Sequence, residues 1–501
     1  MKHSQDPGKA SYILLVSLFI VFLVSQLPLG RLSGGVLRDF SLIDDILSEQ
    51  HRTDMGDVMA DEAPVDSALT AMQRELEAEE RAASSNPYTL TIRDDEYVDS
   101  VLPEADTAAV QVPGNVPVPA VLPQPIDPRR DGYVAIEDYT PDGAGISRLR
   151  NAFSRSRERC VRVAFVGDSY IEGDIFTQDV RSQLQDSYGG SGVGYVNMYS
   201  EFPGFRRSVR QSGSGWNVHV AGRKGFKRRY AWLSEQYSVA KAGEVATASY
   251  SGVKKVANAS AWSRSTVAFW APSGGTVRLR SNGGPWETHT VDASESIRTL
   301  SVDSATVRSF EVSVPSGSDI TALGVWLDSY CGIAVDCMSS RGFSGVTLRD
   351  ISPEVCRGLT DAGLGYDFIV LEFGINAMSA GQTDYTSYGK LMTKVVEHIR
   401  MCYPQAVVML MGIGDRGQKR GADVRSMSSA AYMVDAQRQV ARSTGILFWD
   451  TREAMGGDGA IVSWAGASPP RANKDYIHLN HHGGAVLASE FVKSLRNALN
   501  P

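Results

Sequence analysis

Apolar residues follow different rules in successive parts of this chain. From 12 to 29 they form an almost unbroken run without a charge, preceded by Lys2 and Lys9. A run of that length suits a membrane-spanning helix (10–30) with residues 1–9 in the cytoplasm and everything after it outside. No period is sustained over 31–130. Short apolar strands alternating with helix-period patterns fill 131–199 and 331–501, and between them, over 200–330, the period is two.

The apolar strands are the firmest elements. Val161-Arg162-Val163-Ala164-Phe165-Val166 is almost wholly apolar and rich in β-branched residues, and Gly167-Asp168-Ser169 breaks it before an amphipathic segment at 175–184. Further strands are predicted at 366–373, 407–411 and 446–449, and the spacing predicts a basic helix at 147–157. One later helix sets Tyr388, Leu391, Met392, Val395 and Ile399 on a common face, and the last does the same with Val486, Leu487, Phe491 and Leu495. Strands alternating with helices imply an α/β fold whose parallel sheet is covered on both sides.

The middle segment breaks that rhythm. Runs such as Thr266-Val267-Ala268-Phe269-Trp270 and Phe310-Glu311-Val312-Ser313-Val314 alternate between turns rich in Gly, Pro, Ser and Asn. That is the pattern of an antiparallel sandwich inserted into the α/β domain, with 324–334 bringing the chain back to the first sheet. Six of the eight tryptophans fall in it: Trp216, Trp232, Trp262, Trp270, Trp286 and Trp326. They are either its core or a set of faces for sugar rings.

Charge separates the parts further. Residues 31–145 hold 24 acidic against 8 basic side chains, about −16, so the rest of the chain carries about +9 of the total of −7. An acidic stretch poor in aromatics, followed by six prolines over 112–128, is expected to be a disordered tether with at most one short helix at 66–83. Its charge either only solvates it or recruits a cationic partner. No clear small-residue cleavage site follows the apolar run, so an uncleaved anchor is expected rather than a signal peptide. Arg206, Arg207, Arg210, Arg223, Lys224, Lys227, Arg228 and Arg229 form a basic cluster that is either a solvated face or a surface for an anionic polymer. A nucleic acid is not an expected partner for a chain placed outside the membrane. The five cysteines show no C-x-x-C spacing; Cys331 and Cys337 are close enough to bridge, while Cys160, Cys356 and Cys402 lie in or beside apolar segments.

Candidate chemistry lies where strands end. Ser169 follows the first strand, Gly374-Ile375-Asn376 follows the apolar strand at 366–373, and Asp475-Tyr476-Ile477-His478-Leu479-Asn480 stands near the C-terminus. Each has a plain alternative: Ser169 and Asn376 as helix caps, and His478 with His481 and His482 as a surface or metal cluster. The G-x-G-x-x-G spacing of a dinucleotide site is absent after the first strand.

Together with Gly342, these residues resemble the four signature blocks (Ser, Gly, Asn, His) of the SGNH (GDSL-like) hydrolases, over about 131–200 and 325–500. The phrase Gly167 to Asp174 and Met455-Gly456-Gly457 resemble envelope-anchored polysaccharide and peptidoglycan O-acetylesterases. The resemblance implies a three-layer, flavodoxin-like parallel sheet and a triad of Ser169 as nucleophile, His478 as base and Asp475 as its orienting partner. Oxyanion donors would be the backbone N–H of Ser169, the backbone N–H of Gly342, for which Gly345 is a rival, and the side-chain amide of Asn376. Ala377 departs from the pattern, which often has an acidic residue after the asparagine. Neither cofactor nor metal is implied. The expected substrate is an O-acylated envelope polysaccharide or peptidoglycan, met outside the inner membrane. Two other readings stay open: an O-acetyltransferase fed by a membrane acyl-donor partner, and a tethered glycan-binding scaffold without activity.

Overall fold

The computed structural model describes residues 129–130 and 132–500, apart from 422. The expected membrane segment lies outside them, as does all of the acidic tether but its last two residues. No helix among the described residues is long and apolar enough to cross a membrane.

The α/β part runs β1 (Glu137–Asp138), α1 (Ala144–Ser154), β2 (Cys160–Gly167) and α2 (Thr177–Tyr188). After a long excursion it continues with β3 (Gly332–Ser339), α3 (Pro353–Leu359), β4 (Phe368–Glu372), α4 (Thr386–Cys402), β5 (Val407–Met411), α5 (Ser429–Thr444) and β6 (Leu447–Trp449). The chain closes with α6 (Thr451–Met455), α7 (Ala460–Gly466) and α8 (His481–Leu499). The sheet order is β3-β2-β4-β5-β6-β1. The first five strands are parallel, and β1 adds an antiparallel edge that the apolar pattern did not announce, being too short and polar to carry a period.

Side chains of each parallel strand alternate between two cores, as the pleat requires. Val161, Val163 and Phe165 of β2, Val370 of β4 and Met409 of β5 join Phe153 of α1, Leu184 of α2 and Phe491 of α8. Their neighbours Ala164, Val166, Ile369, Leu371, Val408 and Leu410 join α3, α4 and α5 through Val355, Val395 and Met433. Both faces of the sheet are therefore covered. Among the five parallel strands the spatial order is 2-1-3-4-5 in chain terms, so the order reverses at β2. Ligands bind such sheets outside the carboxyl ends of the strands flanking the reversal.

Between α2 and β3 the chain builds two antiparallel sheets. One contains Ser294–Val307, Trp262–Ala271, Thr321–Asp328, Gln236–Ala240 and Trp216–Val220; the other contains Glu287–Val291, Gly275–Ser281, Ser309–Val314, Ala246–Gly252 and Val209–Ser214. Their facing sides share a core of Tyr250, Trp262, Phe269, Leu279, Val312 and Val325. The strand Gly194–Asn197 also belongs here, pairing with Thr321–Asp328, so the antiparallel arrangement begins before residue 200. The return to the parallel sheet starts at Gly332 rather than 324, because Thr321–Asp328 is still an antiparallel strand.

Five of the six tryptophans of this region are buried, and only Trp286 is exposed. Trp232, Trp270 and Trp326 lie in the same core as α3, α4 and α5 of the α/β part. A buried polar network fastens the same seam. Arg162 of β2 meets Asp328 at 2.7 Å, and Asp336 of β3 accepts from Trp326 Nε1 at 3.0 Å, the Tyr195 N–H at 2.8 Å and the Tyr366 hydroxyl at 2.9 Å. Cys331 is exposed, Cys337 is buried, and both are free thiols rather than a bridge.

Candidate active site

The Ser169 loop leaves β2 where the strand order reverses. Gly167 has to be glycine: a Cβ there would lie 2.6 Å from the Glu372 carbonyl oxygen at the end of β4. Asp168, buried beneath the loop, turns its carboxylate back on it, accepting from the Tyr170 N–H at 2.9 Å through Oδ1. Ser169 is thereby held at the sheet edge.

The histidine reaches it from the other end of the chain. Gly483 and Gly484 open α8, and a Cβ on them would collide with the carbonyl oxygens of Arg471 and Ile175, 1.8 and 2.1 Å away. Two residues without side chains let the first turn of α8 pack on the backbone just beyond the Ser169 loop. Asn480 caps that turn by accepting from the Gly483 N–H at 3.0 Å. The preceding loop then places His478 Nε2 2.9 Å from Ser169 Oγ, and His478 Nδ1 2.8 Å from Asp475 Oδ2.

These distances define the proton positions. A carboxylate only accepts, so Nδ1 carries the hydrogen and Nε2 is left to accept from Ser169 Oγ. Asp475 is itself steadied, with Oδ1 accepting from the N–H groups of Ile477 at 2.9 Å and His478 at 3.1 Å. Burial would raise its pKa, but the His478 hydrogen bond and charge, with the two backbone donors, bring it below the usual value. Asp475 therefore stays ionised.

Asn376 follows β4 and stands beside the same loop. Its Nδ2 donates to Asp168 Oδ2 at 3.0 Å and to the Phe343 carbonyl at 2.9 Å. Both amide hydrogens are thus taken. The second bond also ties Asn376 to the segment of Gly342, which has φ 80° and keeps part of its surface open. Gly345 is buried instead, and a Cβ there would lie 2.6 Å from the Phe373 ring, so packing accounts for that glycine. No acceptor among the described residues takes the backbone N–H of Ser169 or Gly342.

Under the loop lies a second carboxyl that the sequence reading passed over. Glu372 ends β4, is buried, and neither of its oxygens has a hydrogen-bond partner. Burial, reinforced by the nearby Asp168 charge, holds its pKa well above the usual range. Asp168 is raised to about 7 by burial, with Glu172 adding to the rise, against lowering by the Tyr170 N–H and the charges of His478 and Arg416. The signal for Glu372 was available in retrospect: an acidic residue within an otherwise apolar strand, Phe368-Ile369-Val370-Leu371-Glu372-Phe373.

On the far side of the loop Asp174 is buried against Arg181 at 2.7 Å and Arg206 at 3.3 Å, and it also accepts from Ser208 and Thr177. This knot fastens the Ser169 loop to the start of the antiparallel region. His481, considered for a metal cluster, faces Gln178 at 3.3 Å through Nδ1, and no group of three His, Cys, Asp or Glu suited to a metal occurs among the described residues.

Compared with solved structures, the chain shares its architecture with a peptidoglycan O-acetylesterase at a TM-score of 0.59 and 19% identity. The match covers 73% of this chain and 99% of that one. The fold resembles that esterase. Weaker matches include a family two carbohydrate esterase from Cellvibrio japonicus (TM-score 0.25, 11% identity, 58% of this chain and 98% of that one). An acetyl xylan esterase matches at a TM-score of 0.24 and 17% identity, over 32% of this chain and 81% of that one. No family model matches the sequence, and no curated protein matches it. At such identities the likeness is one of fold, and the chemistry rests on the site.

Proposed function

We propose that the protein is a serine esterase of the SGNH type that removes small acyl groups, above all O-acetyl, from an envelope polysaccharide outside the inner membrane. The observation that carries this reading is the unbroken chain Ser169 Oγ, His478 Nε2, His478 Nδ1, Asp475 Oδ2 at the carboxyl edge of a parallel sheet. The fold shared with a peptidoglycan O-acetylesterase supports the acetyl and glycan parts of it.

In the first half-reaction His478 Nε2 takes the Ser169 hydroxyl proton as Oγ attacks the acetyl carbonyl carbon. The oxyanion forms beside the N–H groups of Ser169 and Gly342, with Asn376 joining as a third donor when it shares the hydrogen now held by Phe343. Collapse expels the sugar oxygen, which takes its proton from His478 Nε2 and leaves acetyl-Ser169. Water, deprotonated by the same nitrogen, then attacks the acyl-serine, and acetate departs as the proton returns to Oγ. Asp475 stabilises the imidazolium and fixes its tautomer throughout.

The test uses the full chain with nitrophenyl acetate, an O-acetylated oligosaccharide and a serine-directed phosphonate label. Acetate release, and labelling lost only in Ser169→Ala, are the expected results. A wild-type protein that neither labels nor releases acetate would favour the scaffold reading. Accumulation of acetylated sugar from an acetyl donor, in place of free acetate, would favour the transferase.

A further inference from the structure

We infer that the acylated substrate is a carboxylate-bearing sugar polymer, and that Arg416 is the residue that reads its negative charge beside the reacting ester. The inference rests on the esterase reading and adds the class of polymer.

Arg416 follows β5 at the carboxyl edge of the sheet, where such folds bind ligands. Three bonds fix it between the two halves of the site. Its Nη1 donates to the Ile375 carbonyl at 2.8 Å, one residue before Asn376; its own carbonyl accepts from the Met427 N–H at 2.6 Å; and the next N–H, of Gly417, donates to the Tyr476 carbonyl at 2.7 Å, two residues before His478. Its charge reaches Asp168, the neighbour of Ser169.

No carboxylate pairs with Arg416 among the described residues; its Nε is buried with no acceptor, while the side chain as a whole is only partly buried and keeps part of its guanidinium open to solvent. Partial burial without a paired carboxylate costs free energy, and here it lowers the pKa of Arg416 although the nearby Tyr385 and Asp168 act to raise it. The planar fork of a guanidinium suits a carboxylate, which an incoming anionic substrate can supply through the part left open. Two carboxylates near Ser169 are engaged elsewhere: Glu172 with Arg341 at 2.7 Å, and Asp475 with His478 at 2.8 Å.

Further positive charge lies on segments tied to other parts of the site. Exposed Arg207 acts on His481, three residues beyond His478. Exposed Arg223, Lys224 and Lys227, without an ion pair among the described residues, precede a stretch tied to the segment after Gly342, since Ala231 accepts from the Ser352 N–H at 2.9 Å and Glu235 from the Thr347 hydroxyl. A polymer with repeated carboxylates meets charge at the ester and again along its length.

Binding separates this from the esterase reading. The probes are O-acetylated oligomers of equal length, one of hexuronic acid and one of neutral hexose, with an O-acetylated muramyl glycan whose carboxylates lie on its peptides. Titrated calorimetrically into the full-length Ser169→Ala protein, an acidic oligomer is expected to bind about tenfold or more tightly than the neutral one, with the margin shrinking as salt rises. Adding Arg416→Gln is expected to remove most of the margin, and Arg416→Lys to restore part of it. The tighter of the two acidic probes tells whether the charge lies on the sugar ring or the peptide. Equal affinity for neutral and acidic oligomers, or a margin that survives Arg416→Gln, overturns the inference. Nitrophenyl acetate turnover by the Ser169-containing protein reports on the esterase separately: turnover without the margin sinks only this inference, and the margin without turnover sinks only the esterase.

Discussion

Asn376 Nδ2 lies 3.0 Å from Asp168 Oδ2, so the residue expected to stabilise an oxyanion is also the one that satisfies a buried carboxylate behind the nucleophile. Removing it acts twice. Asn376→Ala is expected to lower turnover of nitrophenyl acetate on the order of 10²- to 10³-fold by loss of a donor. It is also expected to cost about 1–3 kcal/mol in urea unfolding, because Asp168 Oδ2 and the Phe343 carbonyl lose their partner. A stability loss with turnover unchanged would make Asn376 purely a brace for the loop.

The same carboxylate sets a pH dependence. Asp168 in the folded chain is raised to about 7 from an ordinary 3.8, so the native state binds its proton more tightly than the unfolded state does. By linkage its contribution to stability is complete below about pH 4 and is lost as pH rises toward 7. Glu372 is raised too and acts in the same direction, whereas Asp475, lowered, gives stability that disappears only at lower pH, as pH falls through its folded pKa. Unfolding free energy measured between pH 4 and 7 is expected to fall less steeply in Asp168→Asn and in Glu372→Gln than in wild type, since either change relieves the shared buried charge. Parallel pH curves for the three proteins would contradict the coupling.

The parallel sheet was legible because it depends on local signals, apolar β-branched runs ended by Gly-Asp-Ser or Gly-Ile-Asn, and so was Asp475 three residues before His478; Ser169 and His478, 309 residues apart, were joined only by the resemblance to a hydrolase family. What escaped depends on pairings distant in sequence. Glu372 and Asp168 meet only because β4 lies beside β2, and Arg416 gains meaning only when Ile375 and Tyr476 are brought to it. The tryptophans carried no local mark of whether they face solvent or another layer. That packing against Phe373 accounts for Gly345 was likewise invisible in the sequence.

The hydrogen bond between Asp475 and His478 makes a directional demand. Asp475→Asn can present an amide N–H to Nδ1, which drives the imidazole proton to Nε2 and leaves nothing to accept from Ser169. Turnover is expected to drop on the order of 10³- to 10⁴-fold with the fold kept. Ser169→Ala and His478→Ala should each cost nearly as much as the two together, because the residues act as one unit. Additive losses in a double-mutant cycle would show that they work independently.

Trp326 and Trp286 separate two views of the antiparallel region. Trp326 is fully buried, donates to Asp336 of β3, and packs its ring against Tyr195 and Trp232 at centroid distances of 5.1 and 5.4 Å. Trp286 is 38% exposed, with the Arg280 guanidinium 4.4 Å from its ring centroid. If the antiparallel region were an appended module displaying tryptophans to a glycan, Trp326→Ala would leave unfolding of the parallel-sheet part untouched. A shared seam demands the opposite. Trp326→Ala removes a large side chain from a packed core and deprives Asp336 of a donor, so it is expected to cost about 3–5 kcal/mol. The loss is expected in one transition, seen alike by circular dichroism and by nitrophenyl esterase activity as urea rises, since Arg162, Asp328 and Asp336 join the two parts across the seam. Trp286→Ala is expected to change stability by less than about 0.5 kcal/mol, as substitutions at exposed positions usually do. Two separated transitions in Trp326→Ala, with activity following only the second, would show the antiparallel region to be an independent attachment.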